Sequence, residues 1–90
     1  MSTLKDNVEE GRYEIVVDGQ IVWADYRSTP GRMVIDHVEA PVALRGSGAA
    51  GRLMEAVAAE ARREGVKIVP LCGYAATWLR RHKHHADLIA

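Results

Sequence analysis

The chain is poor in cross-links, in net charge and in long apolar runs. Cys72 is its only cysteine, so no disulfide can form within it. A lone thiol suits a reducing compartment. Twelve Lys and Arg residues balance twelve Asp and Glu. That balance removes the global field by which a protein gathers nucleic acid or an anionic membrane. No apolar stretch approaches the roughly 20 residues needed to cross a bilayer. Met1-Ser2-Thr3-Leu4-Lys5-Asp6 has neither the basic start nor the apolar stretch of a secretory leader. The expectation is a cytoplasmic protein with neither nucleic acid nor membrane as partner. Repeats and low-complexity linkers are absent too. What remains is 90 residues at 48% hydrophobic content, enough for one core and one domain.

Residues 1–10 are mostly polar and are expected to form a flexible N-terminus, leaving 11–90 as the domain. Tyr13, Ile15 and Val17 alternate with Arg12, Glu14 and Val16, a period-two pattern that predicts a strand. Asp18-Gly19 suits a tight hairpin. Gln20–Arg27 predicts a second strand, with Ile21, Trp23 and Asp25 on one face and Val22, Ala24 and Tyr26 on the other. Ser28-Thr29-Pro30-Gly31 is a further turn signal, and Arg32–Glu39 predicts a third strand. Beyond Pro41 the period changes. Leu53, Met54, Val57, Ala58 and Ala61 lie on one helical stripe that Gly65 is placed to stop. Lys67–Leu71 reads as a short strand and Gly73–Arg81 as a second helix. The third strand, long helix and last strand make a right-handed β-α-β unit. The expected fold is therefore α/β (α+β): a mixed sheet, an antiparallel three-stranded meander leading into a β-α-β unit and a C-terminal helix. An exposed edge strand in so small a sheet leaves a monomer or a weak homodimer as the expected state.

The loop entering the long helix, Arg45-Gly46-Ser47-Gly48-Ala49-Ala50, carries the first functional signal. Gly46 and Gly48 remove obstructing Cβ atoms and permit unusual backbone angles. A helix starting near Ala49 presents unpaired N–H groups and the positive end of its dipole, which together favour an anion. Arg45 can add charge. A Walker-type loop is excluded because its lysine is missing. Gly46-Ser47-Gly48-Ala49-Ala50-Gly51 spells GxGxxG, but the preceding strand ends a meander and no second βαβ half follows, so a dinucleotide fingerprint fits poorly. Spacing alone leaves two readings open, a phosphate cradle or a structural turn.

The same segment resembles the Arg/Gln-x-x-Gly-x-Gly/Ala motif of the GNAT N-acetyltransferase superfamily. Residues 11–90 are similar to a compact subfamily of roughly 90 residues with a Pro-x-Cys segment after the long helix, here Pro70-Leu71-Cys72. The resemblance implies acetyl-CoA (coenzyme A) as cofactor, with Arg45, Gly46, Ser47, Gly48, Ala49 and Ala50 holding its pyrophosphate. It also implies that the pantetheine arm pairs with the backbone of Val38, Glu39 and Ala40 between two splayed parallel strands. The implied activity is acetyl transfer to an amine, on a protein lysine or terminus or on a small polyamine. Two alternatives stay open: a non-catalytic acyl-CoA-binding module, and a small protein-interaction domain without cofactor.

Acetyl transfer needs a deprotonated amine, a polarised carbonyl and a proton for the departing thiolate. Glu39, ending the third strand, is a candidate base or a solvated carboxylate. His37 points to the same face and is a candidate relay or a structural histidine. Cys72, at the start of the second helix, is a candidate thiolate nucleophile or a small buried hydrophobe; the resembled subfamily offers it as an acyl carrier. Larger relatives place a tyrosine on this helix to protonate the thiolate. Here Leu79 and Arg80 stand at those positions, and Tyr74 comes at least a turn too early. No metal site is expected, because His82, His84 and His85 lack helical-pair spacing and sit among cations. That basic run, Arg80–His85, suits a local anion contact or a plain helix end. Trp23, Tyr13, Tyr26 and Trp78 are expected in the core and on the sheet faces.

Overall fold

Alternation in the first forty residues becomes a sheet in the computed structural model, which describes residues 3–90. Strands β1 (Lys5–Asn7), β2 (Arg12–Val17), β3 (Gln20–Thr29) and β4 (Arg32–Glu39) pair antiparallel in chain order. Strand β5 (Lys67–Pro70) then adds parallel to β4, giving the order β1-β2-β3-β4-β5. Asp18 and Gly19 both take positive φ, 50° and 75°, the geometry of a two-residue hairpin whose twist matches its strands. Helix α1 (Ala49–Glu64) crosses from β4 to β5, and α2 (Gly73–Arg81) follows β5. The mixed sheet and its β-α-β unit are those the residue pattern predicts.

The meander gains one strand over that expectation. Residues 1–10, anticipated as a flexible lead-in, contain β1, paired Lys5↔Glu14, Asp6↔Tyr13 and Asn7↔Arg12. Three polar residues show no period. Their pairing depends on partners far along the chain: Tyr26 Oη donates to Asp6 at 2.6 Å and Asn7 Nδ2 donates to Glu14 at 2.9 Å. Leu4 packs against the core beside them. Met1 and Ser2 lie outside the described residues.

One face of the sheet is the core. Tyr13, Ile15, Val17, Val22, Ala24, Met33, Ile35 and Ile68 are buried against Leu53, Met54, Val57, Ala58 and Ala61 of α1. The predicted stripe is thus the stripe that is buried. Ala75, Trp78 and Leu79 of α2 join the same cluster. A Cβ on Gly51 would lie 3.5 Å from Trp78 Nε1, so the thin first turn of α1 is where α2 packs. Gly65 ends α1 in the left-handed conformation, as a C-terminal glycine cap does. A 3₁₀ turn over Lys83–Leu88 buries Leu88, and Ala90 N–H then donates to Ile68 O at 2.8 Å. The C-terminus therefore bonds to β5 through Ile68 and Ile89.

The other face carries Val16 and Ile21, exposed and paired with each other, and Trp23, over which Arg12 lies at 4.7 Å. Glu14, on this face, is buried beneath Arg12 and Asn7. Hydrogen bonds from Arg12 and then Asn7 hold its carboxyl below the ordinary 4.5. A carboxylate with a lowered folded-state pKa stabilises above its unfolded value and loses that contribution as pH falls. Glu14→Gln should therefore flatten the acid limb of the stability profile below about pH 4.5. Urea midpoints between neutral pH and pH 3 check this; parallel profiles for parent and variant would refute it.

Candidate active site

Strands β4 and β5 part at a definite point. Their parallel pairing runs Arg32↔Lys67, Met33↔Ile68, Val34↔Val69 and Ile35↔Pro70, and stops there. In a parallel ladder alternate residues of β5 donate to β4, Lys67 N–H to Gly31 O at 3.1 Å among them, so Pro70 is not one of its donors. The next two donors, Leu71 and Cys72 N–H, both turn to Ile35 O at 3.0 and 3.3 Å. On the other side, β4 bulges: Tyr26 pairs with Ile35 and Asp25 with His37, so Asp36 is an extra residue. Arg27 grips Asp36 through two bonds of 2.8 Å. Beyond the bulge, His37, Val38 and Glu39 pair with β3 alone, and among the described residues no strand lies on their β5 side.

The glycine loop closes the end of this gap. After a 3₁₀ turn at Val42–Leu44, Gly46 and Gly48 take φ of 80° and 86°, where a side chain would be strained. Ser47 N–H donates to Leu44 O at 3.1 Å, and Ala49 N–H donates to Ser47 Oγ at 3.3 Å. Among the described residues, the N–H groups of Gly46, Gly48, Ala50 and Gly51 have no protein acceptor. Those of Ala50 and Gly51 are the usual unpaired donors of a first helical turn. Nothing lies within 4 Å of where a Cβ would stand on Gly46 or Gly48. These residues line a cleft of about 360 Å³ with Ala40, Leu44, Arg45, Ala49 and Tyr74. A larger groove of about 550 Å³ runs along α1 beside Leu4, Ala56 and Ala59, away from the β4–β5 gap.

The cleft brings together Ala40, Arg45, Gly46, Gly48, Ala49 and Ala50 among the residues singled out by sequence. Arg45 faces Glu39: its Nη2 donates to Glu39 Oε2 at 3.1 Å and its Nε to Ala40 O at 3.4 Å. His37 Nε2 lies 2.9 Å from Glu39 Oε1. The bond from His37, and secondly that from Arg45, keep the Glu39 carboxyl below its ordinary 4.5. Glu39 is thus ionised at neutral pH and weakly basic. Ser47 turns its hydroxyl to Leu44 O at 2.5 Å. Cys72 is half-buried and caps α2 with extended backbone, outside the cleft lining.

Tyr74 is the residue the spacing argument set aside. It lines the cleft, and its hydroxyl would lie 3.8 Å from a Cβ on Gly51. Burial, then the nearby Cys72, push its pKa above 10.0, so the phenol keeps its proton at neutral pH. Helical side chains lean toward their own N-terminus, so Tyr74, near the start of α2, can reach back over the loop. Leu79, at a position expected for the acid, is instead fully buried in the core. Tyr26 stacks on Tyr13 at 4.0 Å, and Arg27 is committed to Asp36, so neither faces the cleft.

Parting parallel strands and a glycine loop with unpaired N–H groups at the helix entrance meet at this cleft, and helix entrances with such free donors favour anions in general. The chain belongs to the GCN5-related N-acetyl-transferase family, whose sequence model matches residues 12–88. The fold is also that of a GCN5-like protein from Staphylococcus aureus solved by NMR. The two share 23% identity with a TM-score of 0.70, over 98% of this chain and 87% of that one. No curated protein sequence matches the chain significantly.

Replacing Arg45 by Gln should raise the Glu39 titration midpoint toward 4.5, leaving the larger His37 effect in place. Side-chain carbon NMR across the acid range reads that midpoint directly. An unmoved midpoint would mean that Arg45 does not hold Glu39 in solution.

Proposed function

We propose that the protein binds acetyl-CoA in the loop cleft and transfers its acetyl group to a primary amine. The observation that carries this reading is the set of free N–H groups on Gly46, Gly48, Ala50 and Gly51, beside an unpaired stretch of β4. The cofactor supplies an activated thioester; the chain supplies position and protons. The loop donors and the α1 dipole suit a diphosphate. The free edge at Val38–Ala40 suits the amides of a pantetheine arm, which would pair there as an added strand. Glu39 and His37, joined at the end of β4, are placed to take a proton from the acceptor ammonium. Tyr74, protonated and beside the loop, is the donor for the departing thiolate.

A cysteine route is the variant of this reading. Cys72 stands at the N-terminal end of α2, beside Tyr74. In that route the acetyl group passes first to Sγ and then to the amine. The weak basicity of Glu39 favours a second reading, in which the domain binds acyl-CoA without turning it over. An assay of thioester loss with and without polyamines and lysine peptides separates the two, since binding without amine-dependent loss selects the binding module.

Calorimetric titration with coenzyme A should show saturable binding. Gly48→Glu should weaken it at least tenfold by placing a carboxylate in the cradle. At φ of 86° the substitution also costs about 1–2 kcal/mol of stability, so binding is compared well below each melting midpoint. Full affinity in the folded variant would place the diphosphate elsewhere. For the cysteine route, acetyl-CoA should leave an acetyl adduct on the parent that Cys72→Ala lacks. An adduct of equal yield on both, by intact mass, would eliminate it.

A further inference from the structure

Glu55 on α1 and His84 and His85 in the 3₁₀ turn of Lys83–Leu88 take no part in the proposed reaction, yet they meet. Each offers one ligand atom, and all three atoms lie within 4.8 Å of one another. His85 Nε2 is 3.2 Å from Glu55 Oε2, and His84 Nε2 is 3.9 Å from Glu55 Oε1. His85 is held firmly: it is buried, and its ring stacks toward Trp78 at 5.7 Å. His84 and the Glu55 carboxylate are open to solvent.

We propose that Glu55, His84 and His85 form a site for one divalent cation of the zinc type. Two imidazoles and a carboxylate are a donor set zinc accepts while keeping a fourth position for water. Donors about 2.0–2.1 Å from a tetrahedral ion stand about 3.3 Å from one another. The His85–Glu55 pair is already at that spacing, and exposed His84 can close its 3.9 Å by rotating.

Arg62 is the group that opposes an ion, and its surroundings contain it. Its guanidinium is matched by Asp87, through Nη1 to Oδ2 at 2.8 Å and Nη2 to Oδ1 at 3.1 Å. Nη2 also faces His84 O and His85 Nδ1, each at 3.3 Å. That nitrogen has two hydrogens for three acceptors, so the ring contact can be released. Arginine only donates, so in the metal-free state Nδ1 accepts and Nε2–H donates to Glu55. Metal binding takes the Nε2 lone pair; the displaced proton moves to Nδ1 by exchange with water, and Arg62 keeps Asp87 and His84 O. The ion would then tie the C-terminal turn to α1, reinforcing the tail that bonds to β5.

The test uses the untagged full chain carrying Cys72→Ser, which removes the competing thiol. Cobalt(II) should bind saturably at sub-millimolar concentration with the visible absorption of a tetrahedral site, and zinc should displace it. Zinc should also raise the melting midpoint. Glu55→Gln and His84→Asn replace exposed side chains, so their folds should hold by circular dichroism, while each weakens cobalt binding at least tenfold. The proposal is overturned if cobalt does not saturate, or if both folded variants bind it as tightly as the parent. Either result leaves the acetyl-CoA reading untouched, because neither residue lines that cleft.

Discussion

The separation of β4 from β5 is the constraint on which the rest of this molecule depends. A parallel pair normally continues while both strands can exchange hydrogen bonds. Here Leu71 N–H makes the last bond of the ladder and Cys72 N–H turns to the same carbonyl, that of Ile35, so neither is left for the residues of β4 beyond it. Strand β4 is turned by its extra residue at Asp36. Either feature alone would loosen the ladder. Together they leave His37, Val38 and Glu39 of β4 paired with β3 alone among the described residues.

The glycine loop completes what the parting begins. With Gly46 and Gly48 in the left-handed region, the chain descends from β4 into α1 without a side chain over the helix entrance. Three of its N–H groups, those of Arg45, Ser47 and Ala49, are spent on holding the loop in shape. The N–H groups of Gly46, Gly48, Ala50 and Gly51 keep no protein acceptor among the described residues, and these residues line the cleft. Arg45 links this cradle to Glu39 and His37, which makes the charge state of the β4 end sensitive to what Arg45 contacts. Tyr74 completes the group from the opposite wall, and Gly51 lets α2 come near enough for that.

The C-terminal segment shows the same economy. His82 stacks on Trp78 at 3.9 Å and places its Nδ1 2.8 Å from Trp78 O, so the ring continues the end of α2. From there the turn presents His84 and His85 to Glu55, and Arg62 binds Asp87 across from α1. Within the basic run, His84 and His85 meet the acid Glu55, while Arg80 donates to Thr77 Oγ1 at 3.3 Å. Its histidines meet a carboxylate rather than one another's helical neighbours.

Much of the architecture was legible in the residues, because it follows from local periods. Alternation separated the two faces of β2 and β3, and the Leu53–Ala61 stripe marked the buried face of α1. Asp18-Gly19 and Gly65 marked a hairpin and a helix end through backbone geometry that few other residues adopt. Contacts between distant segments were not legible. Strand β1 has no pattern of its own and forms through Asn7–Glu14 and Tyr26–Asp6; Tyr74 enters the cleft because α2 packs on Gly51; Arg45 turns to Glu39 because the bulge sets where β4 ends. Sequence by itself determined the periodic elements, since propensity and period act over a few residues. Tertiary structure decided which side chains share a site, since that depends on packing between elements dozens of residues apart.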